Sequence, residues 1–145
     1  KTKTIITNMY LINGKENKEY IKNIVKRNRE ALDIPKNYNG GFYEGVWYII
    51  CVNNTYCGGL GFVIYNDEAY LQVVIEEEFR GYGLFQEAFF LLQDLHPKIN
   101  VYKLTTGTNN LAMQRAARKA GFDFIQTIGS LNKTGKEMLL YEFKK

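Results

Sequence analysis

The chain contains 145 residues, the length of one domain, and we expect a single domain over residues 1–145 with no second domain of full size. Hydrophobic residues make up 46% and charged residues 23% of the sequence, which is too apolar for a wholly disordered chain. The 19 Lys and Arg residues against 15 Asp and Glu give a net charge of +4, which favours anionic ligands but is too small for a nucleic-acid-binding surface.

The sequence has few metal-binding or disulfide-forming side chains. Cys51 and Cys57 are its cysteines and His96 its histidine, too few for a disulfide scaffold or a structural zinc site. The cysteines flank a turn, a placement that allows them to face each other across a hairpin, and we expect reduced, partly buried thiols. No apolar run reaches the ~18 residues that cross a bilayer, and no signal-peptide pattern occurs. We therefore predict a cytoplasmic protein without a metal and without membrane contact.

The N-terminal third predicts a strand, a helix and a loop. Residues 4–12 form a short apolar run closed by an Asn-Gly turn. Over residues 15–32, apolar side chains recur at a spacing of about four between lysines and arginines, which predicts an amphipathic helix with a basic outer face. Residues 36–45 follow Pro35 and predict a loop. The aromatic rings of this loop fit either ordinary packing or the entrance of a substrate site.

The middle of the chain predicts a meander followed by a buried helix. Residues 46–52, 59–65 and 69–75 predict three successive antiparallel strands, joined around Asn53-Asn54 and Asn66-Asp67. Apolar residues then cover most of the segment 84–95, which predicts a helix that is buried on more than one side and is ended by a proline.

The remaining segments complete a sheet. Residues 101–105 predict a strand, Asn109-Asn110 can cap a helix that runs to Ala120, and Gly121 suits a left-handed helix end. Residues 122–128 and 138–143 predict a final hairpin around the polar stretch 132–136. The order β-α-β-β-β-α-β-α-β-β predicts an α/β (α+β) fold, a mixed sheet flanked by helices.

The passage from the third meander strand into its helix carries the most informative motif. Gly81 and Gly83 permit a sharp turn and the close approach of a ligand to the backbone. The helix that follows presents unpaired amides and the positive end of its dipole, and Arg80 adds a cation, so a diphosphate fits there. Alone, this motif is a weak signal, because glycine turns between strand and helix are common.

A second motif begins 30 residues after Arg80, where Asn110 starts a helix that ends at Gly121-Phe122. The run from Arg80 to Gly83 and this helix together resemble the GCN5-related N-acetyltransferase (GNAT) superfamily. The pyrophosphate loop of that family reads Gln/Arg-x-x-Gly-x-Gly/Ala, and its later helix reads Asn-x-x-Ala-x-x-x-Tyr-x-x-x-Gly-Phe. The order of elements is also similar over nearly the whole chain. The resemblance implies a mostly antiparallel central sheet of about seven strands.

The resemblance implies an enzyme that moves an acetyl group from acetyl-coenzyme A (acetyl-CoA) to a primary amine by direct attack. The pantetheine arm would lie along the strand at Val73, Val74 and Ile75, where parallel strands splay apart, with Asn110 on the other side of the splay. Loop amides would hold the diphosphate, and the loop residues implied in cofactor binding are Arg80, Gly81, Tyr82, Gly83, Leu84 and Phe85. The implied acceptor is a small molecule or a protein, and many relatives pair as homodimers through the final strands.

Three positions depart from the family pattern. Phe85 stands where the loop has Gly or Ala, so its ring must point away from the diphosphate. Ala117 stands at the family tyrosine, and Met113 at its small residue. Because that tyrosine is the usual proton donor to the departing thiolate, two interpretations stay open. Either solvent protonates the thiolate, or the chain is a GNAT-fold binding or assembly protein with weak or no turnover, for example one associated with a phage or a toxin.

Acetyl transfer also needs a base, since an amine with a pKa of about 10.4 is protonated at neutral pH. Glu76 and Glu68, at the two ends of the central strand, are the candidate bases, and side-chain alternation places Glu76 toward the cleft. The acidic run 76–78 fits a solvated turn equally well. The amide of Val74 or Ile75 is the candidate donor to the oxyanion.

Three cations of the later helix, Arg115, Arg118 and Lys119, face either the adenosine phosphates or solvent. The sequence does not choose between these two directions. His96 follows the buried helix and lies far from both motifs, so we expect it to be a charge partner of the helix end rather than a catalyst.

Overall fold

The computed structural model describes residues 6, 8–11, 19, 22, 26, 44–128 and 137–145. The helix predicted over 15–32 and the loop predicted over 36–45 therefore lie largely outside the described residues. Glu19, Lys22 and Lys26 are helical and exposed. Their spacing puts them on one helix face, as expected for the solvated face of the predicted helix.

Seven strands are described. They are β1 (Asn8–Leu11), β2 (Glu44–Val52), β3 (Thr55–Tyr65), β4 (Glu68–Ile75), β5 (Val101–Gly107), β6 (Asp123–Ile128) and β7 (Met138–Lys144). They form one sheet in the order β1-β2-β3-β4-β5-β7-β6. Among these strands β4 and β5 alone pair in parallel, and all other neighbours are antiparallel. The predicted mixed, mostly antiparallel sheet is confirmed.

The hairpin turns of the meander follow from their residue types. Asn53 and Asn54 join β2 to β3, and Asn66 and Asp67 join β3 to β4; all four have positive φ, between 50° and 65°. Two successive positive φ values define the turn whose twist matches that of the flanking strands, and Asn and Asp tolerate this conformation better than other non-glycine residues.

Two helices in the described ranges pack on the sheet. α1 (Leu84–Leu95) begins after Gly83, which has a φ of 75°, and ends at His96. α2 (Leu111–Lys119) begins at Asn110, whose side-chain oxygen accepts a hydrogen bond from the amide of Met113 at 3.2 Å. This cap satisfies one of the unpaired amides at the start of the helix. None of the described helices is long and apolar enough to cross a membrane.

An aromatic cluster holds α1 against the sheet. The ring of Phe89 lies edge-on to Tyr102 of β5 at 5.0 Å and packs against Phe122 at 4.9 Å. Phe62 and Leu71, from β3 and β4, complete the buried floor beneath α1. Burial of each such side chain contributes about 1.5–3 kcal/mol, so this cluster fixes the position of α1 relative to the central strands.

The two cysteines and the histidine lie in the packed part of the fold, away from the two motifs. Cys51 and Cys57 are buried and form no disulfide, and burial raises the pKa of the Cys57 thiol. Cys51 is opposite Tyr56 in the sheet register, and the register shifts between Ile50 and Cys51, so Cys57 has no residue directly opposite it. His96 Nε2 lies 2.7 Å from the hydroxyl of Tyr48. This contact ties the end of α1 to β2.

An ion pair marks the place where β4 and β5 stay together. The parallel pairing covers Ala69 with Tyr102 and Tyr70 with Lys103. The ammonium of Lys103 lies 2.7 Å from Glu68 and 3.7 Å from Glu142 of β7, so it joins three strands. Burial acts to lower the pKa of Lys103, but the hydrogen bond to Glu68 and the surrounding negative charges outweigh burial and raise it above 10.5.

We expect Lys103→Met to lower the free energy of unfolding by about 1–2 kcal/mol, because the carboxylates of Glu68 and Glu142 lose their cation. Urea unfolding measures this loss. The pKa of Lys103 is higher in the folded than in the unfolded protein. The stabilisation by its ion pairs is therefore fully present below the pKa of Lys103 in the unfolded chain, and it is lost as the pH rises through the pKa in the folded protein. The difference between the two proteins should therefore persist at neutral pH and shrink above about pH 10.5.

The control is Lys144→Met, because Lys144 lies 3.7 Å from the same Glu142 but is 67% exposed. An exposed pair is worth little, so this change should cost less than about 0.5 kcal/mol. An equal loss in both variants would contradict the role given to Lys103.

Candidate active site

The open edge of β4 is the first part of the site. Beyond Tyr70, β4 continues to Ile75 with β3 as its partner on one side, while β5 has turned away on the other. The amide of Glu76 donates to the carbonyl of Cys57 in the β3 direction at 2.8 Å. Antiparallel pairing alternates, so the peptide groups of Val74 also face β3 and those of Val73 and Ile75 face the open side.

Gly58 shows independently which side of β4 the Val74 carbonyl faces. A Cβ atom placed on Gly58 of β3 would collide with the carbonyl oxygen of Val74, which shows that this oxygen points at β3. On the open side, the carbonyl oxygen of Ile75 accepts a hydrogen bond from Nε of Arg80 at 2.9 Å. The backbone groups of Val73 and the amide of Ile75 are therefore the ones available to a ligand lying along β4.

The turn between β4 and α1 forms the second part of the site. A single 3-10 turn, Glu77–Phe79, leads from β4 to Arg80. Gly81 and Gly83 then have φ values of 88° and 75°, which other residues adopt only under strain. The first intrahelical bond of α1 runs from the amide of Glu87 to the carbonyl of Gly83, so the preceding amides of the turn and the first helical turn stay available to an anion.

Phe85 does not obstruct this turn. It is 5% exposed, and its ring stacks on Phe89 at 6.0 Å and lies 6.1 Å from Phe122. The ring thus belongs to the aromatic core, where it anchors the first turn of α1. This orientation is the one that the sequence analysis required for a diphosphate to fit.

A cavity of about 550 Å³ joins these parts. Its walls are the open end of β4, the turn, the start of α1 and one face of α2. Of the residues predicted to bind the cofactor, Tyr82 is 63% exposed and is not part of the lining. The other nine line the cavity: Val73, Val74, Ile75, Arg80, Gly81, Gly83, Leu84, Phe85 and Asn110.

One face of α2 was not predicted as part of the site. Ala112, Ala116 and Lys119 follow one another at helical spacing along the cavity wall, together with Arg115. Arg118 points elsewhere, toward the hydroxyl of Tyr141 at 3.5 Å. The structure thus separates the three cations that the sequence left together. Helical spacing predicts that these residues share one face of α2, but it does not predict that this face lines the cavity.

The candidate bases occupy different surroundings. Glu76 directly follows β4 beside the open edge and is half-exposed. Glu68 starts β4, about 23 Å from Ile75 at the usual rise of an extended chain, and binds Lys103. Neither carboxylate lines the cavity. The structure therefore brings Glu76, but not Glu68, close to the end of the strand that bounds the site.

The described part of the cavity wall lacks side chains of the usual general-acid types. Among the described residues that line it, Tyr, His, Cys, Asp and Glu are absent. Ala117, at the position of the family tyrosine, is wholly buried in the hydrophobic core. The described residues also contain no cluster of His, Cys, Asp and Glu suited to a metal ion.

No protein-family model and no curated protein sequence matches the chain. Solved structures do match. RimL, a ribosomal-protein alpha-N-acetyltransferase in complex with coenzyme A, superposes with a TM-score of 0.64 at 16% identity, over 99% of this chain and 96% of that one. A spermidine N-acetyltransferase SpeG chimera from Vibrio cholerae and hSSAT gives 0.66 at 10% identity, over 97% and 96%.

The microcin C7 self-immunity acetyltransferase MccE, in complex with acetyl-CoA and AMP, gives a TM-score of 0.62 at 17% identity over 70% of this chain. The match spans 61% of the MccE chain. These likenesses show the fold: the chain has the fold of the GNAT acetyltransferases.

Restoring the family tyrosine should not restore a proton donor. We expect Ala117→Tyr to lower the free energy of unfolding by about 1–3 kcal/mol or more, because position 117 lies inside a packed core. Thermal unfolding measures the loss. Ala112→Tyr, on the cavity face of the same helix, is the control and should be tolerated because Ala112 is exposed. A stable Ala117→Tyr protein would contradict this placement.

Proposed function

We propose that the chain is an acetyl-CoA-dependent N-acetyltransferase that transfers the acetyl group to a primary amine by direct attack. The observation that carries the proposal is the junction of the open edge of β4 with the amide-rich turn at the start of α1. A pantetheine arm along β4 would pair with the backbone of Val73 and Ile75. The diphosphate would accept hydrogen bonds from the amides of Gly81, Tyr82, Gly83 and Leu84. The coenzyme A and acetyl-CoA bound in structures of similar fold support this assignment.

The orientation of the peptide groups of β4 favours one of the two candidate oxyanion donors. The amide of Ile75 faces the open side, whereas the peptide group of Val74 faces β3. Attack by a neutral amine on the thioester carbonyl places a negative charge on its oxygen, and an amide of this kind typically accelerates the step by about 10²–10³. We therefore propose Ile75 as the donor.

Proton transfers complete the reaction. We propose that Glu76, acting through water, removes a proton from the acceptor amine, and that the thiolate leaves without a tyrosine donor and takes its proton from solvent. Glu68, the other candidate base, is held by Lys103 at the far end of β4, which favours a structural role for it. Water suffices for the thiolate because a thiol pKa of about 8.5 makes it a good leaving group.

The acceptor is proposed only as a primary amine, on a small molecule or a protein. A homodimer, a cytoplasmic location and the absence of a nucleic-acid partner stay predictions of the sequence. The surface that a homodimer would use is β6, which forms one edge of the described sheet and exposes most of its side chains. Light scattering would report the solution mass.

Calorimetry with acetyl-CoA, together with thiol release in a panel of amines, tests the proposal. We expect saturable binding and amine-dependent release of coenzyme A. Gly83→Val should abolish binding, because a branched side chain at a φ of 75° strains the turn and blocks approach to its amides. Its thermal unfolding transition shows whether the variant is folded.

The outcomes separate the two functions that the sequence left open. Binding with release of coenzyme A supports the enzyme. Binding without release supports a GNAT-fold binding protein instead. No binding by the unaltered chain, or unchanged affinity in folded Gly83→Val, removes the site assignment.

Glu76→Gln tests the proposed base. We expect kcat/KM to fall by about 10²–10⁴ at neutral pH, since the amine then loses its proton acceptor, while the affinity for acetyl-CoA stays the same. Raising the pH should recover part of the rate, because solvent deprotonates the amine. Glu78→Gln, two residues further along the same acidic run, is the control. Equal losses in both variants would show that the run acts through its overall charge.

A further inference from the structure

The register of β4 and β5 shows which groups would bond if their parallel pairing continued. Tyr70 is opposite Lys103 in the last pair. Counted forward along both strands, the same register would set Ile75 opposite Thr108. In a parallel ladder, the amide of a residue bonds to the carbonyl of the residue that precedes its partner. The amide of Ile75, which faces the open side, would therefore bond to the carbonyl of Gly107.

The carbonyl of Gly107 already accepts two other hydrogen bonds. The amide of Asn110 donates to it at 3.1 Å, within the turn that leads from β5 to α2. Nε2 of Gln114 donates to the same oxygen, also at 3.1 Å. A carbonyl oxygen has two lone pairs, so these two donors saturate it. The bond that the extended register would give to Ile75 is thus replaced by a bond to a side chain of α2.

Gln114 is a buried polar side chain, 7% exposed, at the end of β5. Its Nε2 group also donates to the carbonyl of Thr108 at 3.0 Å, so both of its protons are bound to the chain that leaves β5. In the two described helices that pack on the sheet, no other polar side chain is buried. Burying an amide costs free energy unless its donors are bonded, so these two bonds hold residues 107–108 against α2.

We propose that Gln114 is a positioning residue that keeps the edge of β4 open. It binds the carbonyl of Gly107 and thereby prevents that carbonyl from pairing with the amide of Ile75. The inference rests on the proposed function, in which this amide stabilises the oxyanion. Gln114 is not part of the described cavity wall, so it acts through the end of β5 rather than on the co-substrate.

Hydrogen exchange of the protein without ligand and calorimetry with acetyl-CoA test this role in Gln114→Met, which has a side chain of similar length but no donor. We expect the amide of Ile75 to exchange about threefold to tenfold more slowly in the variant, as one hydrogen bond of ordinary net strength would give. Because a paired strand cannot bind the pantetheine arm, the affinity for acetyl-CoA should fall by the same factor. KM should rise in parallel, while kcat at saturation stays within about twofold.

The control is Ala117→Gly, which loosens the buried face of the same helix without removing a donor from the end of β5. A merely structural role of Gln114 predicts the same result in both variants, namely unchanged or faster exchange along β4. Our proposal instead predicts slower exchange at Ile75 in Gln114→Met alone. Thermal unfolding shows that each variant is folded.

Unchanged or faster exchange at Ile75 in Gln114→Met refutes the proposal. Slower exchange without the loss of affinity, or equally slow exchange in the control, also refutes it. If Gln114→Met does not fold, the Nε2 protons of Gln114 in the unaltered protein give the answer: slow exchange supports the two bonds, and fast exchange refutes them. Failure of the unaltered protein to bind acetyl-CoA refutes the proposed function, whereas the exchange at Ile75 still tests whether Gln114 keeps the strand open.

Discussion

The structure depends on the short length over which β4 and β5 pair. Parallel strands normally bond along their length, yet here the pairing stops at Tyr70 and Lys103. An unpaired backbone edge in a protein interior costs free energy for every group left without a partner. The open groups of β4 therefore need either water or a ligand, and the cavity supplies access for both. The ion pair of Lys103 with Glu68 closes the other end, so the strands part at one defined place.

The turn after β4, the first turn of α1 and the start of α2 meet at this place, and each is held by a different contact. The hydrogen bond from Arg80 to Ile75 fixes the turn to the end of β4. The ring of Phe85 fixes the first turn of α1 to the aromatic core. Asn110 caps α2, whose buried face includes Ala117. Because these contacts belong to the folded protein itself, little ordering is left for a ligand to impose, which favours binding.

The sequence predicted the elements well where local chemistry decides them. The paired Asn and Asp residues of the two hairpins, the proline after α1 and the glycines of the turn each have a local structural cause. The choice between Val74 and Ile75 could not be predicted, because side-chain alternation does not reveal which peptide groups face β3. The separation of Arg115 from Arg118 also required the structure, since it depends on how α2 is rotated about its axis. From the motif, residue 117 is a catalytic position that has lost its tyrosine. Only the packing of α2 shows that this residue lies in the hydrophobic core.

The insertion of β7 between β5 and β6 has a consequence for how the chain is made. β6 joins the sheet through β7, although it is synthesised first. While translation proceeds, β6 has no strand to pair with until residues 138–144 leave the ribosome. A premature stop codon before residue 138 would leave β5 without its antiparallel neighbour β7, and an unpaired strand edge is a template for aggregation. Quality control in the cell would then meet a nascent chain whose earlier strands are in place but whose sheet is unfinished.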